Sequence, residues 1–198
     1  MKELFEGKKW VVVDAECLRD VKPPFGFDRS EFLGNAVTCS VDQDGNVRDW
    51  VGNESIFGFW KYLLGFDYVI SFNGLGFDYP LWGGCLLTPE DFRARTIFKD
   101  SFKGKTIDLC LDFYKALGVR VGLNAVSIPT LGDVKEMQGG FAPQLWREGK
   151  RFEVINYCRG DIRRTRDLFI KAINGEDLSV QVKGTNQIRT FKTGIEVR

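Results

Sequence analysis

Trp10-Val11-Val12-Val13-Asp14-Ala15-Glu16 is the stretch on which the fold turns. A run of β-branched residues with no polar side chain inside it reads as a central strand covered on both faces, as in α/β sheets flanked by helices. The run ends in two acids, one residue apart. Side chains alternate across a strand, so Asp14 and Glu16 are expected on the same face. Two carboxylates so placed repel each other unless a cation or a shared proton compensates them.

Outward from this strand, a Pro/Gly loop (Val21 to Phe27) leads to Asn35 to Val41 and Val47 to Val51, joined by the turn Asp42-Gln43-Asp44-Gly45 as a β-meander. A helix is expected from Asn53, burying Ile56, Phe57, Trp60, Leu63 and Leu64. Tyr68 to Phe72 reads as a strand, Asn73-Gly74-Leu75-Gly76 as a loop, and Phe77-Asp78 as the approach to another helix. Thr106-Ile107-Asp108-Leu109 reads as the opening of a helix that Gly118 and Gly122 break, and Leu123 to Leu131 as a short element interrupted by Pro129. The longest helix is expected from Glu153 to Ile173, with Ile155, Ile162, Leu168, Phe169 and Ile173 buried and Arg163, Arg164 and Arg166 exposed. Leu178 to Arg198 alternates like a β-hairpin around Gly184-Thr185-Asn186. The order of elements gives an α/β layer architecture, divided into residues 1–175 and a hairpin extension, 176–198.

Composition removes whole classes of chemistry. The 198 residues carry 28 Lys and Arg against 27 Asp and Glu, a net charge of +1, so attraction to a polyanion has to come from local patches. No histidine is present, which excludes Ser-His-Asp and Cys-His nucleophiles, His-ligated zinc and an imidazole base. Cys17, Cys39, Cys85, Cys110 and Cys158 are scattered and read as reduced, mostly buried thiols. The opening MKELFEGKKW lacks the apolar core of a signal peptide, and no window of membrane-spanning length is free of charges and turn residues. A cytoplasmic protein without membrane association is expected.

What remains are carboxylates. Asp78 follows the Gly-rich loop, and Asp161 lies in the long helix four residues after Tyr157, which puts both on one helix face. Each acid alone has an ordinary role: Asp14 ending a strand, Asp78 capping a helix, Asp161 pairing with Arg164 or Arg166. Asp14, Glu16, Asp78 and Asp161 together, from a strand end, a loop and a helix, have the donor set of a site for two hard divalent cations. Mg²⁺ or Mn²⁺ takes oxygen ligands, whereas zinc wants nitrogen or sulfur.

Three segments resemble the motifs of one family. Val11-Val12-Val13-Asp14-Ala15-Glu16 is similar to a hydrophobic strand ending in D-x-E, Asn73-Gly74-Leu75-Gly76-Phe77-Asp78 to N-x-x-x-F-D, and Tyr157-Cys158-Arg159-Gly160-Asp161 to Y-x-x-x-D. In this order they resemble the signature of the DEDDy branch of 3′-to-5′ exonucleases, related to the proofreading domains of family B DNA polymerases. The resemblance spans Trp10 to about Ile173. It implies a ribonuclease H-like mixed sheet flanked by helices, with a C-terminal β-hairpin appended. It further implies two-metal hydrolysis of phosphodiester bonds at the 3′ end of single-stranded or frayed DNA, releasing nucleoside monophosphates. Asp14, Glu16, Asp78 and Asp161 would hold Mg²⁺ or Mn²⁺, and Tyr157 would orient the attacking water. Asn73, Phe77, Cys17 and Leu18 would contact the terminal nucleotides, although Cys17 stands where the family often carries a small hydroxyl residue. Single-stranded nucleic acid, DNA rather than RNA, and a replication or repair complex are the partners implied. An exoribonuclease on the same site and a catalytically inactive nucleic-acid-binding scaffold are the alternatives.

The stretch from Phe92 to Lys105 mixes cations and rings, as a strand-guiding surface does and as a linker with buried Phe anchors also does.

Overall fold

The computed structural model describes residues 1–133 and 139–198. Its centre is a five-stranded mixed sheet in the order β3-β2-β1-β4-β5. The strands are β1 (Trp10–Cys17), β2 (Asn35–Asp42), β3 (Val47–Val51), β4 (Tyr68–Ser71) and β5 (Thr106–Asp108). β1 pairs antiparallel with β2 and parallel with β4, so it is the middle strand and has no free edge.

The alternation of β1 sorts the core into two layers. Trp10 and Val12 join the apolar cluster on one face; Val11, Val13, Ala15 and Cys17 join the cluster on the other. The first face is covered by α4 (Leu109–Leu117), α5 (Leu123–Leu131), α6 (Ala142–Arg147) and α7 (Arg151–Ile173). The second is covered by α1 (Ile56–Leu63), α2 (Asp78–Leu86) and α3 (Ile97–Ser101). Helices on both faces explain why Trp10 to Val13 of β1 are apolar without alternation. This is the expected α/β sheet. The two-stranded C-terminal hairpin is also present, as β6 (Leu178–Gln181) and β7 (Ile188–Phe191). Its buried Leu178 and Val180 share the α7-side core, and Thr130 of α5 accepts from and donates to the Ser179 backbone at 2.8 and 2.9 Å.

Several expectations are corrected. Thr106-Ile107-Asp108 is a strand, pairing parallel with β4, and the helix begins only at Leu109. Three residues are too few to display a period, and their pairing is with a segment 37 positions earlier (Val69 with Thr106). α1 buries Ile56, Phe59 and Leu63 but leaves Phe57 and Leu64 about half exposed, a helical phase different from the one expected. α5 is a continuous helix through Pro129. Arg164, expected on the solvent face of α7, is 2% exposed. It sits on the same stripe as Asp161, Thr165 and Leu168, where the i, i+4, i+7 spacing faces the sheet.

Close backbone approach positions α2. A Cβ on Gly84 would lie 1.9 Å from the Glu31 carbonyl oxygen, so only glycine lets the helix reach the segment before β2. Trp82 then reaches across, its indole N–H donating to Thr38 Oγ1 at 2.7 Å, while the Thr38 hydroxyl donates to Asn35 Oδ1 at 2.8 Å. Both groups are fully buried. Thr38→Val keeps the shape but strands the indole N–H, and chemical denaturation is expected to show a loss of about 1–3 kcal/mol. Thr38→Ser, which retains the hydroxyl, is expected to recover most of it.

Candidate metal and nucleic-acid site

The end of β1 and the middle of α7 meet beside the sheet. Asp14 and Glu16 project from the α7 face of β1, and Asp161 arrives on the buried stripe of the helix. A carboxylate oxygen from each of Asp14, Glu16 and Asp161 lies within 4.8 Å of the others, close enough to share one cation. Cys158, one turn before Asp161, packs below and donates to the Asp14 backbone carbonyl at 3.5 Å.

The electrostatics of this cluster are unfavourable without a counter-charge. Enclosure by the protein, then repulsion from Asp78, Asp161 and Glu16, raises the Asp14 carboxyl well above its usual range. Enclosure followed by Asp161 and Asp78 does the same to Glu16. Asp78, 3% exposed at the start of α2, is raised by enclosure and by Asp108. Asp78 is therefore felt electrostatically by both β1 acids, while the tight oxygen cluster comprises the other three. Part of the compensation is built in: Arg164 Nη1 pairs with Asp161 Oδ1 at 3.0 Å, and its Nε lies 3.3 Å from Asp133 Oδ2. Pairing of Asp161 with Arg164 thus coexists with membership of the cluster and holds the carboxylate in place.

Tyr157 stands one turn before Asp161, half-buried on the wall of the same cleft. Burial and the three acids Asp161, Glu16 and Asp14 push its hydroxyl far up, so it remains protonated at neutral pH. It is a hydrogen-bond donor to Asp161 and not a base.

The second motif is folded around an acid that sequence reasoning passed over. Asp108, at the end of β5, accepts from the backbone N–H groups of Asn73 (2.9 Å) and Leu75 (3.1 Å) and caps α4 through Cys110 and Leu111. Asn73 adopts a left-handed backbone with φ of 66°, a conformation asparagine tolerates better than most residues. Gly74 follows under tighter constraint, because a Cβ there would lie 2.2 Å from Ser71 Oγ. The loop then delivers Phe77 as the residue before α2, with its carbonyl held by the Ser30 hydroxyl at 2.8 Å.

Asn73, Tyr157 and Asp161 line a cleft of about 620 Å³ together with Phe27, Arg120 and Asn124, among others, whereas Asp14, Glu16, Asp78 and Phe77 are not part of its lining. Phe27 is 70% exposed, with its ring 5.5 Å from that of Phe77. A paired, partly exposed aromatic platform beside a carboxylate cluster suits a base stacked next to its own phosphate. Cys17 faces the opposite way, buried in the α2-side cluster with its thiol donating to the Arg19 carbonyl at 3.3 Å. Leu18 is half-buried, and its N–H donates to Gly34. None of residues 92–105 lines the cleft: Phe98 and Phe102 are core anchors, and Arg95 pairs with the buried Glu31.

The residues that sequence reasoning missed differ in legibility. Asp108 carries a signal, an acid placed before an apolar helical run, which is a capping pattern. Phe27 opens a short 3-10 helix and Arg120 lies in the turn between α4 and α5, neither with a repeating pattern in sequence, so only the folded chain places them at the cleft.

The fold has a counterpart among solved structures. Over 84% of its length the chain superposes, at a TM-score of 0.61 and 17% identity, on the family B DNA polymerase from the hyperthermophilic archaeon Pyrobaculum calidifontis. It covers 24% of that chain, so the likeness is to about a quarter of the polymerase and is one of fold. No protein-family model and no curated protein sequence matches. Among the described residues, no helix is long and apolar enough to cross a membrane.

The raised carboxyls make stability depend on pH and on cations. A group that holds its proton more tightly when folded contributes stability below its unfolded pKa of about 4, and this is lost as pH rises through the higher native value. In chelator, the thermal midpoint of Asp14→Asn is expected to fall less steeply than that of the parent from about pH 5 to pH 8. Exposed acids shifted the other way, such as Asp91, are common to both proteins and cancel in the comparison. Added Mn²⁺ is expected to raise the parent's midpoint at neutral pH and to act less on the variant. Identical pH slopes for the two proteins would take Asp14 out of the crowded cluster.

Proposed function

We propose that the chain is a metal-dependent 3′-to-5′ exonuclease acting on single-stranded or frayed DNA and releasing nucleoside monophosphates. The observation that carries this reading is the convergence of Asp14, Glu16 and Asp161, from β1 and α7, on a volume one cation can occupy. The donors are all carboxylate oxygens, with Asp78 adding its field, and that chemistry fits Mg²⁺ or Mn²⁺. The polymerase likeness supports the fold on which such a site is built, and the direction of attack and the preference for DNA follow from the motif resemblance. When bound, two divalent cations supply Lewis acidity at the scissile phosphate and acidify a water molecule.

The chain's own residues have separable tasks in this reading. Asp14, Glu16, Asp78 and Asp161 hold the ions, with Asp161 kept in orientation by Arg164. Tyr157, protonated, steers Asp161 and the attacking water by hydrogen bonding and takes no proton itself. Asn73, set by the Asp108-anchored loop, is aimed into the cleft for the terminal nucleotide, while Phe77 and Phe27 stack on its base.

The test is a time course on a 5′-labelled single-stranded DNA and on RNA of the same sequence, each with Mg²⁺, with Mn²⁺ and with chelator. The expected result is a cation-dependent ladder shortening from the 3′ end, faster on DNA. Asp14→Ala and Asp161→Ala are expected to abolish it while remaining folded, because removing one acid relieves repulsion among the rest. Tyr157→Phe is expected to lower kcat about 10- to 100-fold with little change in KM, as for a partner that orients a metal ligand. A ladder that persists in either aspartate variant, or binding without cleavage in the parent, overturns the reading.

The aromatic platform makes a separate prediction. Phe27→Ala is expected to weaken binding of the strand end by about 1–3 kcal/mol, measured by fluorescence anisotropy. Its ring is mostly exposed, so the melting temperature should stay unchanged. Unaltered affinity would remove Phe27 from the substrate site.

A further inference from the structure

A second cavity adjoins the cleft. It measures about 660 Å³ and lies between the turn that joins α4 to α5 and the C-terminal hairpin. Arg120, Val121 and Gly122 line both this cavity and the cleft at Tyr157 and Asp161, so the two lie side by side across one shared wall. Its interior is aliphatic, with Leu117, Val119 and Val182 around it and the buried Val180 on the hairpin side.

Three cations border it: Arg120 from the α4–α5 turn, and Lys183 and Arg189 from the hairpin. No acidic side chain among the described residues lines the cavity. Among the described residues, the structure gives none of these three an ion pair or a side-chain hydrogen bond. Many basic groups elsewhere are ion-paired, as in Arg159 with Asp49, Arg163 with Asp133 and Arg198 with Asp112. Unmatched cations gathered around an apolar hollow, next to a cluster of acids that needs cations of its own, form a local dipole that bulk charge conceals.

We propose that this cavity is a second nucleotide subsite, in which the hairpin and the α4–α5 turn hold an unpaired nucleotide of the same strand whose 3′ end occupies the cleft. The inference rests on the nucleic-acid reading of the cleft and extends it to a part of the chain outside the three motifs. A strand leaving the cleft passes over the shared wall at Arg120 to Gly122, the aliphatic lining takes the face of a base without reading its identity, and Arg120, Lys183 and Arg189 meet the phosphates on either side. Gln181, the amide on this lining, turns its Nε2 to the Thr185 carbonyl of the hairpin at 3.5 Å, and the rest of the wall is mainly aliphatic, so the subsite discriminates length and single-strandedness rather than sequence.

The experiment uses the double variant Lys183→Glu/Arg189→Glu, two exposed hairpin residues outside the catalytic cluster. Affinity is measured by fluorescence anisotropy for 5′-labelled single-stranded DNA of two and of eight nucleotides, over a series of salt concentrations, and hydrolysis of both is followed with Mg²⁺. The eight-nucleotide strand is expected to bind the variant at least tenfold more weakly, with a shallower salt dependence, and its KM to rise in step. The dinucleotide, which reaches only the cleft, is expected to bind and react as with the parent.

Equal weakening of both lengths, or no weakening of either, overturns the subsite; the second result is the one expected if the hollow receives a protein partner instead. A parent that binds the longer strand without cleaving it, and a variant that loses that binding, leaves the subsite standing while the exonuclease reading falls. A parent that cleaves, with a variant that treats long strands as the parent does, leaves the exonuclease standing and removes the subsite. A parent that neither binds nor cleaves either strand removes both.

Discussion

Mutual repulsion among Asp14, Glu16, Asp78 and Asp161 is the constraint around which the rest of the molecule is arranged. Acids left to themselves would move apart into water, and these are held together because each is carried by an element that cannot move independently. β1 is paired with β2 through Asp14 and Glu16, anchored to β4 over Trp10–Val12 and covered on both faces, so Asp14 and Glu16 have little freedom to retreat. α7 packs its buried stripe against the same sheet, and Asp161 lies within that stripe. The energy that assembles the cluster is the burial of Val11 to Val13 and of the α7 stripe, and the repulsion left within it is what a bound cation would relieve.

Two supporting devices limit that strain. Arg164 brings a buried positive charge to Asp161 and ties it to Asp133, a partly compensated arrangement that orients one carboxylate while leaving the cluster crowded. Asp108 works at the other side, collecting the backbone N–H groups of the Asn73 loop and of the start of α4 on one carboxylate. A single buried acid thus sets the geometry of the loop that presents Asn73 and Phe77. Charge is polarised locally even though the chain is nearly neutral overall: acids converge at the end of β1, and unmatched cations collect along the α4–α5 turn and the hairpin.

Much of the fold was legible because its elements are periodic or compositionally extreme. Val11 to Val13 announced a central strand, the Asp42 to Gly45 turn announced the meander, and α7 displayed its stripe over 23 residues. Short elements without a repeat were misread, as with β5 over Thr106–Asp108, whose pairing with β4 comes from distant residues. Arg164 was misread for a different reason. A charged residue is expected in water, and only the presence of two carboxylates at its guanidinium makes burial tolerable.

Local pattern was enough to determine an α/β sheet with a terminal hairpin, to place Asp14 and Glu16 on one strand face and Tyr157 and Asp161 on one helix face, and to rule out histidine chemistry. These follow from periods of two and 3.6 residues and from composition, which are properties of neighbouring residues. Tertiary structure alone decided that β1 and α7 bring three acids within reach of one ion, that Phe27 and Arg120 border the same cleft, and that the hairpin closes a second cavity beside it. Those contacts join residues far apart in the chain, and their geometry is set by how helices pack on a sheet, which no local period encodes.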